Sequence, residues 1–227
     1  MPVRWFVLMV CAGGAAYAQQ SAASNAQDLY YQQPIGQRGI VRPASPLGIR
    51  YNLLSVDPSG RAPSTPVAPD FVWKTGQCAA VRLEANRGGY LYVLAQGSSG
   101  DWQPLLPSPQ AAGEPHFLNP YSPASIPRDH CFEIMPPAGK ERLFIVVSER
   151  KEDMADLERA IGKPQLVAGA LDAQVDKLRG ELRGRDLKVQ KVAGAASSKQ
   201  PANSVFVVAG DSRANDRLIV EIEISHQ

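Results

Sequence analysis

The sequence predicts a mainly β protein: antiparallel sheets packed in a sandwich-like way, with a helical insertion at about residues 150–185. Three patterns predict it. Between Gly48 and Val147, short runs alternate apolar and polar residues, the period of a strand with one face in a core. Clusters rich in Gly and Pro separate those runs as turns do. Past Arg150 the apolar period lengthens to the helical one, and past Leu187 it returns to two.

The chain of 227 residues opens MPVRWFVLMVCAGGAAYAQQ. Arg4, the apolar run Trp5–Ala12 and the triplet Ala16-Tyr17-Ala18 follow the order of a secretory signal over residues 1–18, with Gln19 as the expected mature start. The apolar run is too short to span a bilayer, and no later run is longer, so no membrane span is expected after the signal is removed. Residues 19–45 are polar with scattered Pro and Gly, and are expected to be a flexible leader that buries too little to offset its ordering entropy. Tyr30 and Tyr31 are its only candidates for docking. The remainder, residues 46–227, reads as a single β-rich domain.

Gly48–Val56 alternates as a strand and turns at Asp57-Pro-Ser-Gly. RAPSTPVAP, residues 61–69, is an extended proline-rich connection. In the next strand Cys78 is followed by Ala79, Val81, Leu83 and Ala85 on one side, and by Arg82 and Glu84 on the other. Asn86-Arg-Gly-Gly89 is expected to supply positive-φ turn positions. Tyr90–Leu94 follows, and Gly97-Ser-Ser-Gly100 returns the chain through Asp101–Leu106. Read locally, Cys78–Leu106 is a three-stranded meander. Pro104 and Pro107 lack an N–H for a ladder, so the third strand belongs at an edge or a strand end.

Residues 107–130 then carry proline at 107, 109, 115, 120, 123 and 127 and read as a long irregular loop. Cys131–Met135 and Arg142–Ser148 resume strand character, the latter apolar enough to lie centrally. Met154, Leu157, Ala160 and Ile161 share one helical face, closed by Gly162 and Pro164. Leu171, Val175, Leu178 and Leu182 stripe a second helix with a charged opposite face. Leu187–Val192 alternates again, and Val205–Val208 with Leu218–Ile224 read as a closing hairpin.

Gly76, the alternating strand to Asn86, Gly89-Tyr-Leu-Tyr-Val, Gly-Ser-Ser-Gly-Asp-Trp102 and Pro104-Leu-Leu-Pro-Ser-Pro resemble the domain of unknown function 4384 family. So do Ile126-Pro127, Phe132, Pro137-x-Gly139 and Glu141–Ser148. The resemblance covers about residues 47–150, and the helical segment with the closing hairpin, 151–227, resembles the extension found in secreted bacterial members. It implies an accessory or recognition role and brings no catalytic residues with it.

Net charge is only +2 and no long basic run exists, so nucleic acid is not an expected partner. Of the three cysteines, Cys11 lies in the expected signal. Cys78 and Cys131 remain, an even pair that each open a strand, and they are expected to bridge in an oxidising compartment. Histidines 116 and 130 with Asp129 are the residues from which a hydrolase or metal site could be built, yet their spacing matches no metal or nucleophile motif. Gly97-Ser-Ser-Gly-Asp lacks the helix and the Lys-Ser/Thr of a phosphate loop. Neither a cofactor nor a metal is therefore expected, and all three histidines are expected at the surface. Aromatic rings supply stiff contact area, and a proline-rich loop is partly preordered. The candidate binding surface is thus Trp102, Phe117 and Tyr121 with Tyr90 and Tyr92, although Tyr90 and Tyr92, opposite Leu91 and Val93, are expected to lie under a loop or helix. The expected role is a non-enzymatic secreted or periplasmic recognition or accessory module of a bacterial envelope, its partner an envelope protein or a glycan. The competing expectations are a hydrolase on the Asp129/His130 loop and a structural domain of a larger assembly.

Overall fold

The computed structural model describes residues 25–32, 45–59, 61–98, 100–108, 115–128, 130–162, 169–182, 186–193, 202–210 and 216–227. The expected signal at 1–18, most of the leader, Asp129, Pro109, Pro164 and the final turn around Asp211–Asn215 lie outside the described residues.

Two antiparallel sheets stack face to face. The first contains β1 (Gly48–Val56), β2 (Thr65–Val67), β3 (Cys78–Ala85), β7 (Ala124–Ile126), β8 (Phe132–Glu133), β10 (Leu187–Val192) and β11 (Ser204–Ala209). Its main path runs β10-β11-β1-β3-β7, with β2 beside β1 and β8 beside β3. The second contains β4 (Gly89–Gln96), β5 (Trp102–Leu106), β6 (Phe117–Leu118), β9 (Gly139–Ser148) and β12 (Arg217–His226) in the path β12-β9-β4-β5, with β6 beside β4. As its apolar run requires, β9 is central, pairing over ten residues with β12 and over seven with β4.

Alternation explains the stacking. Ala79, Val81, Leu83 and Ala85 of β3 meet Leu91 and Val93 of β4 and Leu143, Ile145 and Val147 of β9 in one core between the sheets. The opposite faces of β4 and β9 carry Tyr92, Leu94, Phe144 and Val146, and these are buried too. They are covered by α2 (Ala155–Ile161), which follows a short 3₁₀ turn at Glu152–Met154, and by α3 (Ala170–Leu182). Met154, Leu157, Ile161, Leu171, Val175 and Leu178 form the helical side of this second core. Burial on both faces is why these strands read as nearly continuous apolar runs.

Four expectations are corrected here. Cys78–Leu106 is no meander: β3 belongs to the first sheet and β4 to the second, so Asn86–Gly88 crosses the sandwich, and only β4 and β5 form a hairpin. The closing hairpin is likewise absent, since β11 and β12 lie in different sheets; β11 pairs instead with β10. Each crossing puts both strands' apolar sides into the shared core, which local alternation alone does not distinguish from a hairpin. Third, residues 107–130 are not wholly irregular, because β6 adds to the second sheet and β7 to the first.

The fourth correction concerns the leader. Within residues 19–45, α1 (Ala26–Tyr31) is an ordered helix on the outer face of the first sheet. Asn25 caps it, its side chain accepting from the Asp28 N–H at 2.8 Å. Tyr30 is fully buried against Phe206 and Val208. Its hydroxyl donates to Glu84 Oε1 at 2.8 Å, and Arg50 pairs with Glu84 Oε2 at 2.8 Å. Glu84, read from sequence as a polar surface position, is thus buried with its charge matched. Asn86 completes the attachment: it accepts from the Gly48 N–H at 2.8 Å and donates to the carbonyls of Pro46 at 2.9 Å and Tyr30 at 3.2 Å.

The expected bridge forms. β8 pairs beside the start of β3, which brings Cys78 and Cys131 into a disulfide with a Cα–Cα distance of 5.5 Å. The edge position of the proline-bearing strand also holds: Pro104 lies in β5 opposite Leu94, beside a bulge between Val93 and Leu94.

Candidate functional site

The segment 115–128 crosses from one sheet to the other and is pinned at both ends. The His116 carbonyl accepts from the Leu91 N–H at 2.7 Å, and Gly89 and Tyr90 pair with Leu118 and Phe117. At the far end the Tyr121 N–H donates to the Ala85 carbonyl at 2.7 Å, and Val81–Leu83 pair with Ala124–Ile126. Held this way, the segment borders a cleft of about 310 Å³. Phe117, Leu118, Pro123 and Ala124 supply its apolar lining, and Asn119, Ser122, Ser125 and Arg128 its polar groups. Arg128 is held over the segment by donating to the Pro115 carbonyl.

Phe117 is about half exposed (48%). Its ring stands edge-on to Tyr90, with centroids 5.1 Å apart, over the space that Gly88 leaves open. The five candidate aromatics do not form one surface. Tyr92 is fully buried beneath α2, its hydroxyl donating to Glu158 at 2.8 Å, and burial with that bond holds its phenol well above the ordinary range. Trp102 is buried between β5 and α3, edge-on to Phe144 at 5.9 Å and capped by the Arg179 guanidinium at 5.3 Å. Tyr90 is partly covered and lies 6.0 Å from the Lys151 ammonium. Tyr121, 38% exposed, leans the other way onto α1, stacked on Tyr31 with an interplanar angle of 7°. The rings of the candidate surface that remain exposed are therefore Phe117 and Tyr121, at the two ends of the crossing segment.

The histidines are not uniformly at the surface. His116 faces α2, its Nε2 3.5 Å from Glu158 Oε1, between the rings of Tyr90 and Tyr92. His226 is buried at the end of β12, 3.6 Å from Glu141 Oε1. His130 is exposed. His116 thus has a carboxylate and a phenol for neighbours, and Asp129 lies outside the described residues. Among the described residues no group of three or more His, Cys, Asp or Glu is arranged to hold a metal ion. No helix among them is long and apolar enough to cross a membrane.

Sequence reasoning named Tyr30 and Tyr31 as docking candidates but missed the helix that carries them. Tyr31, 39% exposed, joins Tyr121, and Arg50 donates to its hydroxyl at 3.1 Å. The Asn25 cap before Ala26 was the available signal.

The fold is a two-sheet antiparallel sandwich with α2 and α3 over the outer face of the second sheet and the short α1 on that of the first, displaying a pinned cleft bordered by Phe117. Residues 72–151, spanning β3 to β9 and the whole cleft, match the family described as Domain of unknown function (DUF4384). The match starts later than the sequence resemblance did, and it leaves out β1, β11 and β12, which complete both sheets. No curated protein and no solved structure matches the chain.

Proposed function

We propose that this protein is a non-enzymatic recognition or accessory module of the bacterial envelope, secreted or periplasmic, that binds through the cleft along residues 115–128. One observation carries the reading: an exposed Phe117 ring borders a cleft of about 310 Å³ whose remaining lining mixes small apolar residues with Asn119, Ser122, Ser125 and Arg128. That combination suits a polar ligand with one flat face, such as a glycan strand or a polar peptide, since the ring offers stacking area and the polar groups fix orientation. Attachment to both sheets keeps the cleft preorganised, which lowers the entropy lost on binding. The Cys78–Cys131 bridge is in keeping with an oxidising compartment.

The test is a glycan and peptide array probed with the folded, oxidised domain and with Phe117→Ala and Arg128→Ala. The proposal predicts a defined set of ligands that both variants lose at least tenfold while keeping the wild-type melting temperature. Binding untouched by either substitution, or turnover of an arrayed compound, contradicts it.

A further inference from the structure

Ser125 lines the cleft and lies directly opposite Arg82 of β3, which lies opposite Asn52 of β1. Opposite residues of an antiparallel pair project from the same face, about 5 Å apart. Val81 and Leu83 point into the core, so this row projects from the outer face of the first sheet, beside the cleft. Arg82 is exposed at the centre of the row. Its charge is not compensated there. Asn52 and Ser125 are neutral, and the neighbouring rows of β1 and β3 are Arg50 with Glu84 and Leu54 with Ala80. Glu84 is committed elsewhere: one oxygen accepts from the Tyr30 hydroxyl and the other pairs with Arg50, each at 2.8 Å. The Arg82 guanidinium has no hydrogen bond or ion pair among the described residues. The charged residue in the cleft lining itself, Arg128, is also a cation.

The strands bordering the cleft suit a saccharide better than a peptide. An extended peptide binds by adding a strand to an open sheet edge. β7 is three residues long and stands between Pro123 and Pro127, and β6 is two residues long. Edges this short, closed by residues without an N–H, offer a peptide almost no ladder. A sugar ring needs none. Its apolar face stacks on an aromatic ring, its hydroxyls bond to short polar side chains, and a carboxylate on it forms charge-assisted hydrogen bonds with a guanidinium. Phe117, Asn119, Ser122, Ser125 and Arg82 supply these groups.

We infer that the ligand of the cleft is an acidic glycan, one that carries carboxylates on its sugars, with a ring against Phe117 and a carboxylate at Arg82. This rests on the cleft being the binding site and adds the class of its ligand.

The probe is a panel of carboxylated oligosaccharides, oligogalacturonates among them, each beside its carboxyl-reduced counterpart of equal length, with hexaglutamate as an acidic peptide. Binding of the folded, oxidised protein is measured at low and at physiological salt. At least one acidic oligosaccharide is expected to bind about tenfold more tightly than its reduced counterpart and than hexaglutamate, and the preference should shrink as salt rises. Arg82→Gln should abolish that preference with the melting temperature little changed, since Arg82 is exposed. Lys191→Gln, which removes an exposed cation of β10 at the opposite edge of the same sheet, should keep it. Phe117→Ala should weaken the acidic and reduced forms alike. Phe117-dependent binding without a preference for the carboxylate overturns this inference and leaves the cleft reading standing. A preference that survives Arg82→Gln or falls equally in Lys191→Gln, hexaglutamate bound as tightly as the best saccharide, or no saccharide bound also overturns it. Binding indifferent to Phe117 overturns both.

Discussion

Gly88 and Gly89 are neighbours with different reasons to be glycine. Neither has a positive φ, contrary to the turn chemistry their sequence suggests. A Cβ on Gly89 would sit 2.9 Å from the Ser148 carbonyl oxygen and 3.1 Å from Val147 Cγ1, both fixed in the centre of the second sheet. A Cβ on Gly88 would crowd the tip of the Phe117 ring, at 3.1 Å, which can move, and would lie at ordinary contact distance, 3.6 Å, from the Leu118 carbonyl oxygen. Gly89→Ala is therefore expected to destabilise by about 1–3 kcal/mol in urea unfolding, as overpacking does. Gly88→Ala should fold normally and shift the Phe117 resonances. Glu141 gives a second prediction at this scale. Burial raises its carboxyl above the ordinary range, and the nearby His226 offsets this only in part. A raised folded-state value means that the native protein binds the proton more tightly than the unfolded chain, so stability is lost as pH rises from the ordinary glutamate value of about 4.3 through the raised one. Across that window the melting temperature of wild type should fall relative to Glu141→Gln; a constant difference would contradict the assignment. Which residues would be buried was legible wherever alternation was clean, as for Ala79 to Ala85. The burial of Glu84 was not, because its cause, the Tyr30 hydroxyl and Arg50, lies far away in sequence.

Among the elements, the strands were readable and their partners were not. Asn86–Gly88 looks like a hairpin turn, and nothing local tells a turn that stays in one sheet from one that crosses to the other. The α2 and α3 stripes were readable because Leu157, Ile161, Val175 and Leu178 repeat at helical spacing. The candidate rings divided in the same way: a cover over Tyr92 was legible from Leu91 and Val93 beside it, whereas the burial of Trp102 and the half exposure of Phe117 depended on where α3 and the crossing segment dock. With six residues, α1 is too short to be stable alone, so its order depends on Phe206, Val208 and Glu84. Tyr30→Ala should consequently cost about 3–5 kcal/mol, the range for emptying a large buried aromatic site. Limited proteolysis should then cut near residues 25–32, which the wild type protects. Unchanged stability and protection would mean that the helix does not dock in solution.

At the scale of the whole molecule, three cores share two sheets, and the disulfide fastens β3 of the first sheet to the segment that leads into β9 of the second. Cys78 and Cys131 are 53 residues apart, and closing a loop of that length constrains the unfolded chain by about 4 kcal/mol in the chain-entropy model. Reduction should lower the denaturant midpoint accordingly, without a change in the native circular dichroism. The enclosed segment, 78–131, contains the cleft, so the bridge also closes the part of the chain for which binding is proposed. The most direct test of that assignment is photocrosslinking in cells that make the protein, with benzoylphenylalanine placed at Phe117 or, as an exposed control, at Met135. The account predicts a discrete adduct from position 117 and none from position 135. Adducts of equal yield from both, or none from position 117, would contradict it.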